Sequence, residues 1–463
     1  MSGAIPSARA VGNVAARLDR LPAGPIHWRL ILLTQMFWGL VVGLDPVIGR
    51  IYPVVWKPQD LVTPSQYELL VGFSNGLGPL LGLYLGGFFS DRFGRRKTMV
   101  AACLVSGLLY VPLAFTTEFA LMMVIVTLAS FGVGAAVATA PTYNTEVSPP
   151  TARGRLLLGG QVLAFTILNF VAVIPAILLL PDHPVAYILL HALVPVVVMV
   201  PLILAFLPES PRWLEGKGRH EDAERVLARM EAAAERRHGP LPEPDPAPHA
   251  VPVTARVPVS EVFRGRYLKR TVLLLAVWLL VYAGLDYGLS PYLGVYIVDE
   301  GYGSDALFTM QLIGGLGSVL ILLAGAYLGE RIERKTLMFA SGVCVAVSAV
   351  VLYALPSSAV ALTIGLLFAH AGASGFLANM YNYTATAYPT RVRAVGVGWT
   401  DGIGHIGAVL GPLIAGAFYA ATAAGGHLGW FAWYAIPGAL VPGLLMLAFG
   451  IRQRSAALER VSA

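Results

Sequence analysis

Apolar runs of roughly twenty residues recur along the chain, separated by short polar segments. A run of that length can cross a bilayer as a helix. Twelve are predicted, over about 30–52, 67–89, 98–116, 119–142, 155–180, 184–207, 271–298, 306–328, 336–355, 358–383, 394–420 and 428–450. Charged residues gather at the edges of these runs. The stretch Leu81–Thr98, LGLYLGGFFSDRFGRRKT, begins apolar and glycine-rich and ends in Asp91, Arg92, Arg95, Arg96 and Lys97. A charge at the bilayer centre costs about 2.5–3.5 kcal/mol on insertion scales, so this cluster lies outside the hydrocarbon. An excess of Lys and Arg marks the cytoplasmic side. Placing the helices alternately puts both termini in the cytoplasm. All but Arg50 and Lys57 of the 32 lysines and arginines then fall on cytoplasmic segments.

The same features recur about 240 residues later. Gly325–Thr336 reads GAYLGERIERKT, with Glu330 in the place of Asp91. The triplet Gly43-Leu44-Asp45 returns as Gly284-Leu285-Asp286, and Pro149…Arg153-Gly154 as Pro389…Arg393-Ala394. Parallel repeats of membrane helices are a transporter signature. The expected organisation is a cytoplasmic segment 1–29, a six-helix bundle 30–207, a cytoplasmic linker 208–270, a second bundle 271–450 and a tail 451–463. Within the linker, the charged stretch from Pro211 to Gly239 reads as surface helix, and Pro240–Pro258, with seven prolines, as an extended tether.

Composition agrees: 56% of residues are hydrophobic and 13% charged, against about 25% charged in soluble domains. The net charge of +6 sorts by topology, which disfavours nucleic-acid binding. Cys103 and Cys344 fall in apolar segments and read as small buried hydrophobes. Met1–Arg29 lacks the apolar core and small-residue site of a cleavable signal, so the first membrane helix is expected to act as its own insertion signal. Neither a Walker loop, a metal-ligand spacing nor a nucleophile elbow occurs. The chain therefore reads as a non-enzyme without cofactor or metal, and its energy source as a gradient.

Three motifs give this organisation a family. G-x-x-x-D-R-x-G-R-R at Gly87–Arg96, E-x-x-P-x-x-x-R-G at Glu146–Gly154 and PESPRWL at Pro208–Leu214 together resemble the major facilitator superfamily, in its sugar-porter and organic-ion (metabolite:proton symporter) branches. The resemblance implies an all-α membrane protein of two pseudo-symmetric six-helix bundles. It also implies a monomer that works by alternating access, with substrate bound between the halves near the midplane. It further implies a cytoplasmic gate built from Asp91, Arg95, Glu146, Arg153, Glu209 and Arg212 with Glu330, Arg334 and Arg393. The second-half counterpart of Glu146 is Thr386, so the implied latch is asymmetric, and the linker helices are its implied companions.

Ionisable residues inside membrane helices are functional candidates by default. Asp45 and Asp286 each stand sixteen residues beyond a cytoplasmic arginine, Arg29 and Arg270. At 1.5 Å per residue both lie ~24 Å in, beyond the midplane. A carboxylate there is held neutral unless paired, as a proton carrier requires. Asp401 and His405, four apart, share one helix face and form a titrating pair. By resemblance, Asp45 matches the helix-one acid of proton-coupled porters, and His405 the place whose charge follows substrate charge in organic-ion carriers. Gln161 matches a sugar-binding glutamine. Tyr381, with Asn382 beside it, takes the helix-ten tryptophan place and suits an aromatic or amphiphilic solute.

Other places depart from the sugar-porter pattern. Val126 replaces the arginine that partners the helix-one acid, and Leu280-Val281 replaces a glutamine pair. The usual ending after helix twelve is missing from Ile451 onward. A hexose is thereby disfavoured. Arg50 reads as a base snorkelling to the outer interface. The leading expectation is a proton-coupled symporter of a small organic ion or aromatic metabolite in a bacterial inner membrane. The alternatives are a sugar-type facilitator and a non-transporting receptor that keeps the carrier fold.

Overall fold

The computed structural model describes residues 14–244, 259–328, 331–388 and 390–452, apart from the side chains of Val259, Arg266, Ala326, Ala385, Thr390, Arg391, Arg393 and Ala394. The described residues form helices and connections, with no strand among them. Among the described residues, twelve helices are long and apolar enough to span a bilayer. They are α1 (Pro25–Val42), α2 (Pro64–Phe93), α3 (Arg95–Phe115), α4 (Phe119–Val147), α5 (Arg153–Leu179), α6 (Pro184–Phe206), α7 (Tyr267–Asp299), α8 (Ser304–Gly325), α9 (Arg334–Ala354), α10 (Ala359–Thr384), α11 (Val395–Ala421) and α12 (Leu428–Phe449). Large apolar side chains such as Leu178, Val197, Leu320 and Trp433 are exposed on their outer faces. Water would penalise such surface and lipid does not.

Helices α1–α6 and α7–α12 form two bundles joined along two seams, α2 against α11 and α5 against α8. Small residues allow both seams. A Cβ on Gly76 would lie 2.5 Å from Val409 Cγ2 of α11, and one on Gly315 would lie 3.0 Å from Asn169 Cβ of α5. Close backbone approach replaces the hydrophobic driving force that lipid cannot supply.

Two helices expected to be continuous are broken, and both break at the repeated Gly-Leu-Asp triplet. Helix α1 stops at Val42, turns through Gly43–Asp45 and restarts as Pro46–Ile51. Pro46 has no N–H to continue the ladder, and its ring opposes the preceding turn. Helix α7 widens into a π-type turn over Val281–Asp286, then restarts at Ser290. A tyrosine repairs each break. The Tyr110 hydroxyl donates to the Leu44 carbonyl at 3.4 Å, and the Tyr434 hydroxyl donates to the Gly411 carbonyl at 3.0 Å beside that of Ala283. Each acid is thereby placed at a fixed backbone kink rather than along a smooth helix.

The linker supplies two helices, Pro211–Gly216 and His220–His238; residues 245–258 of the proline-rich stretch lie outside the described residues. Ser210 caps the first, its hydroxyl accepting the Trp213 amide. The chain before α1 packs on the second. Arg17 of Val14–Asp19 pairs with Glu224 and Glu231, both at 2.6 Å, and Arg20 with Glu231 at 2.6 Å. Partial burial pushes the Glu231 carboxyl up, but hydrogen bonds from Arg17 and Arg20 outweigh it and hold the group below its ordinary range.

Candidate functional site

The kinks bring the two membrane acids toward one another. Asp45 precedes Pro46 without using its side chain as a cap, and its buried Oδ1 has no hydrogen-bond partner among the described residues. Asp286 closes the widened turn of α7 and lies close enough for the two charges to act on each other. The two occupy equivalent places in the repeat. Tyr287 lies in the field of both, and of Tyr381 and Asp401.

Behind this pair, the second bundle builds a wall of aromatic and polar groups from α7, α10 and α11. The Tyr282 hydroxyl donates to Asp401 Oδ1 at 2.7 Å and lies 2.9 Å from the Tyr381 hydroxyl. His405 Nδ1 sits 3.1 Å from the Asp401 carbonyl and 3.6 Å from its Oδ1. Ring centroids are 4.8 Å apart for Trp278 and Tyr381, 4.5 Å for Tyr282 and His405, and 5.4 Å for Tyr282 and Tyr287. Trp278 Nε1 donates to Thr384 Oγ1 at 3.1 Å. Asp401 and His405 are both 4% exposed, so any charge they carry must be met within this group. Asp401, His405 and Tyr381 thus come together, with Trp278 and Tyr282, which no motif or spacing in the sequence singles out.

The other candidates lie apart from this wall. Asn382 Nδ2 donates to Ala378 of its own helix and its backbone carbonyl accepts from Arg334 at 3.2 Å, toward the linker end. Gln161 stands in α5 beside Gly160, which packs on Ile31 and Gln35 of α1, and its Oε1 is buried without a partner. Arg50 does not snorkel outward: its Nε and Nη1 are buried without partners.

The charged motif residues form a compact network at the linker end. Arg95 pairs with Glu146 at 2.8 Å and with Asp91 at 3.1 Å. Glu209 accepts the backbone amide of Arg95 at 2.9 Å, and those of Arg96 and Ser210. Burial pushes its carboxyl up against the pull of these donors. Arg212 donates to the Glu146 carbonyl and pairs with Asp19 at 2.6 Å, and Arg153 donates to the Ser148 carbonyl at 3.3 Å. In the second bundle Arg334 donates to Thr386 Oγ1 at 3.1 Å. Glu330 and the side chain of Arg393 lie outside the described residues. Among the described residues, every ion pair at this end stays on the first-bundle side.

Further side-chain ties between the halves gather at the far end, which the motifs do not mark. Lys57 pairs with Asp299, which also accepts from the Tyr419 hydroxyl at 3.0 Å. The Tyr292 hydroxyl donates to Glu68 Oε1 at 3.1 Å, and the Tyr67 hydroxyl to the Pro291 carbonyl at 3.2 Å. Tyr67 stacks on Tyr52 with centroids 3.9 Å apart. The one signal available was spacing: Lys57 and Asp299 are 242 residues apart, close to the repeat offset.

The chain is similar to known proteins. A family model described as "Sugar (and other) transporter" matches residues 59–449. The niacin transporter NiaP of Acinetobacter baylyi is 28% identical over 411 residues, covering 87% of this chain and 89% of that protein. The 4-hydroxybenzoate transporter PcaK of Pseudomonas aeruginosa is 28% identical over 428 residues, 90% of each. Among solved structures, the partially occluded inward-open form of the xylose transporter XylE from E. coli superposes with a TM-score of 0.70 at 18% identity, covering 93% of this chain and 99% of that one.

Proposed function

Because this chain belongs to the sugar (and other) transporter family of the major facilitator superfamily, we propose that it is a secondary carrier of a small organic ion or aromatic metabolite, coupled to protons by symport. It is a multi-pass membrane protein, not an enzyme. In this reading it sits in a bacterial plasma membrane with both termini cytoplasmic and works as a monomer. The segments 30–207 and 271–450 are the moving units, and 208–270 connects them.

The observation that carries the coupling is the Asp45–Asp286 pair at matched kinks across the interface. Two carboxylates close enough to repel each other cannot both ionise cheaply, so one proton between them is the favoured load. Proton entry removes the repulsion that holds the two kinks apart, and the halves can then close around substrate. The far-end ties Lys57–Asp299 and Tyr292–Glu68 must break for the carrier to open outward. The linker-end network of Arg95, Glu146, Glu209 and Arg212 holds the first bundle's inner edge as one block while that happens. The aromatic wall of Trp278, Tyr282, Tyr287 and Tyr381 suits a flat or amphiphilic solute, and the names of NiaP and PcaK fit that class.

A second reading, a sugar-type facilitator, has one observation in its favour: the unpartnered Oε1 of Gln161, an acceptor that a hydroxyl would satisfy. Uptake by proteoliposomes separates the two. Accumulation of aromatic or organic-ion solutes that requires an inward-acid gradient, and fails in Asp45→Asn and Asp286→Asn, is the expected result. Gradient-independent equilibration of polyols or pentoses would replace this reading with the facilitator. Binding without passage in either case would leave a receptor.

A further inference from the structure

Arg50 is a base for which the coupling mechanism has no use. It sits on Pro46–Ile51, the restarted part of α1, which packs across the interface on Ser290–Asp299 of α7. Its neighbours come from both halves: the Tyr187 hydroxyl of α6 beside the guanidinium, with His191 of α6 and His370 of α10 in its electrostatic reach. Two of its three nitrogens, Nε and Nη1, are buried and have no acceptor.

No ion pair to it is present among the described residues. The acid nearest in sequence, Asp45, is five residues away and so about 140° round a helix, and its own Oδ1 is equally unpartnered. Nor can the neighbours substitute. His191 Nδ1 is engaged with the Tyr187 carbonyl at 2.9 Å and His370 Nδ1 with the Leu366 carbonyl at 2.8 Å, and neither ring carries negative charge. Arginine does not escape by losing its proton. A guanidinium with two buried, acceptor-free nitrogens and no counter-charge among the described residues is a disfavoured arrangement, and it stands on a segment where the two halves meet.

We propose that Arg50 is the anion subsite of this carrier, receiving the carboxylate of an organic-acid substrate. The inference rests on the carrier reading and narrows its substrate class. Guanidinium and carboxylate form strong charge-assisted hydrogen bonds, and the acceptor-free nitrogens are the donors such a group would use. A proton on the Asp45–Asp286 pair together with a carboxylate at Arg50 makes the cargo itself neutral in sum, a natural load for symport.

The test is binding to the purified full chain in nanodiscs, with a panel of aromatic and aliphatic monocarboxylates, each against its own carboxamide (benzoate and benzamide, nicotinate and nicotinamide). At least one acid is expected to bind about tenfold or more tightly than its amide. In Arg50→Gln that preference is lost while amide binding stays within about twofold. If R50Q is not recovered as a monodisperse protein, Arg50→Lys decides: a preference reduced at least about threefold supports the subsite, and full preference overturns it. A wild-type protein that prefers no acid over its amide, or an R50Q protein that keeps the preference, overturns it too. So does an R50Q-sensitive response to sodium chloride alone, which would mark an inorganic-anion site. Proteoliposome uptake of neutral solutes that continues in any of these cases leaves the carrier standing without an anion subsite. Absence of all transport would instead sink the carrier reading itself.

Discussion

The two bundles share a fold but differ in how they treat their buried polar groups. Along α7, α10 and α11 of the second bundle these groups are each other's partners: Tyr282 with Asp401 and Tyr381, Trp278 with Thr384, Thr271 with Tyr388. In the first bundle, Asp45, Arg50, Gln161 and His191 all carry buried atoms without a partner. Buried polar groups are normally satisfied, and each exception asks for an explanation. A wall whose hydrogen bonds are closed internally is rigid and presents rings. A face whose donors and acceptors are open waits for something to complete it. The difference teaches that a duplicated scaffold can close its polar groups into a wall in one copy and leave them open in the other.

Substitutions at the open polar groups, Asp45 and Arg50 in the first bundle with Asp286 opposite them, are expected to remove function and spare stability, and substitutions within the closed aromatic wall to do the reverse. The largest expected effect is in Asp45→Asn: gradient-driven accumulation falls to simple equilibration, while the thermal midpoint holds or rises, because a buried carboxyl with an open acceptor contributes no stability. A midpoint that drops sharply in D45N would end the comparison. Next is Tyr282→Phe, which strands Asp401 and Tyr381. It is expected to cost about 1–3 kcal/mol, read as a lower midpoint in detergent, with accumulation reduced but still gradient-dependent. A smaller effect is expected from Lys57→Ala. Its pair with Asp299 is partly exposed, with side chains 36% and 31% accessible, and such pairs contribute about 0–1 kcal/mol. The population open at the far end should therefore rise by up to about fivefold, seen as faster thiol labelling of a cysteine placed beside the pair.

The smallest effect lies outside the membrane. The Glu231 carboxyl is held below its ordinary value of 4.5 by Arg17 and Arg20 once their pull overcomes burial. Its folded-state affinity for a proton is thus lower than in the unfolded chain. The stabilisation is fully present above pH 4.5 and is lost as pH falls through the lower folded value. Amide exchange over 14–21 should accelerate in that window, and Glu231→Gln should abolish the pH dependence.

How much of this was legible in the sequence follows from the range of each signal. Twelve apolar runs and the repeat spacing are local or periodic, and the twelve spanning helices follow from them. The four-residue spacing of Asp401 and His405 put them on one face, where Asp401 Oδ1 lies 3.6 Å from His405 Nδ1. The kinks were missed because a run such as 30–52 is apolar throughout, although Pro46 after the first Gly-Leu-Asp was a signal that could have been read. The ties Lys57–Asp299 and Glu68–Tyr292 join residues more than two hundred apart, and no motif covers them. Tyr282 was invisible for a different reason: among so many aromatic residues, only its hydrogen bond to Asp401 distinguishes it. Arg50 was read as a snorkelling base because depth along a helix does not reveal which neighbour the side chain meets.

The central claim is that Asp45 and Asp286 together carry a proton with each substrate, and the most direct measurement of it is proton flux itself. Proteoliposomes holding a pH-sensitive dye are given an inward substrate gradient at equal pH on both sides. The expected result is internal acidification that tracks substrate entry in the wild type and is absent from Asp286→Asn, even where substrate still equilibrates. Substrate entry without acidification in the wild type, or acidification that survives unchanged in both Asp45→Asn and Asp286→Asn, would contradict the account.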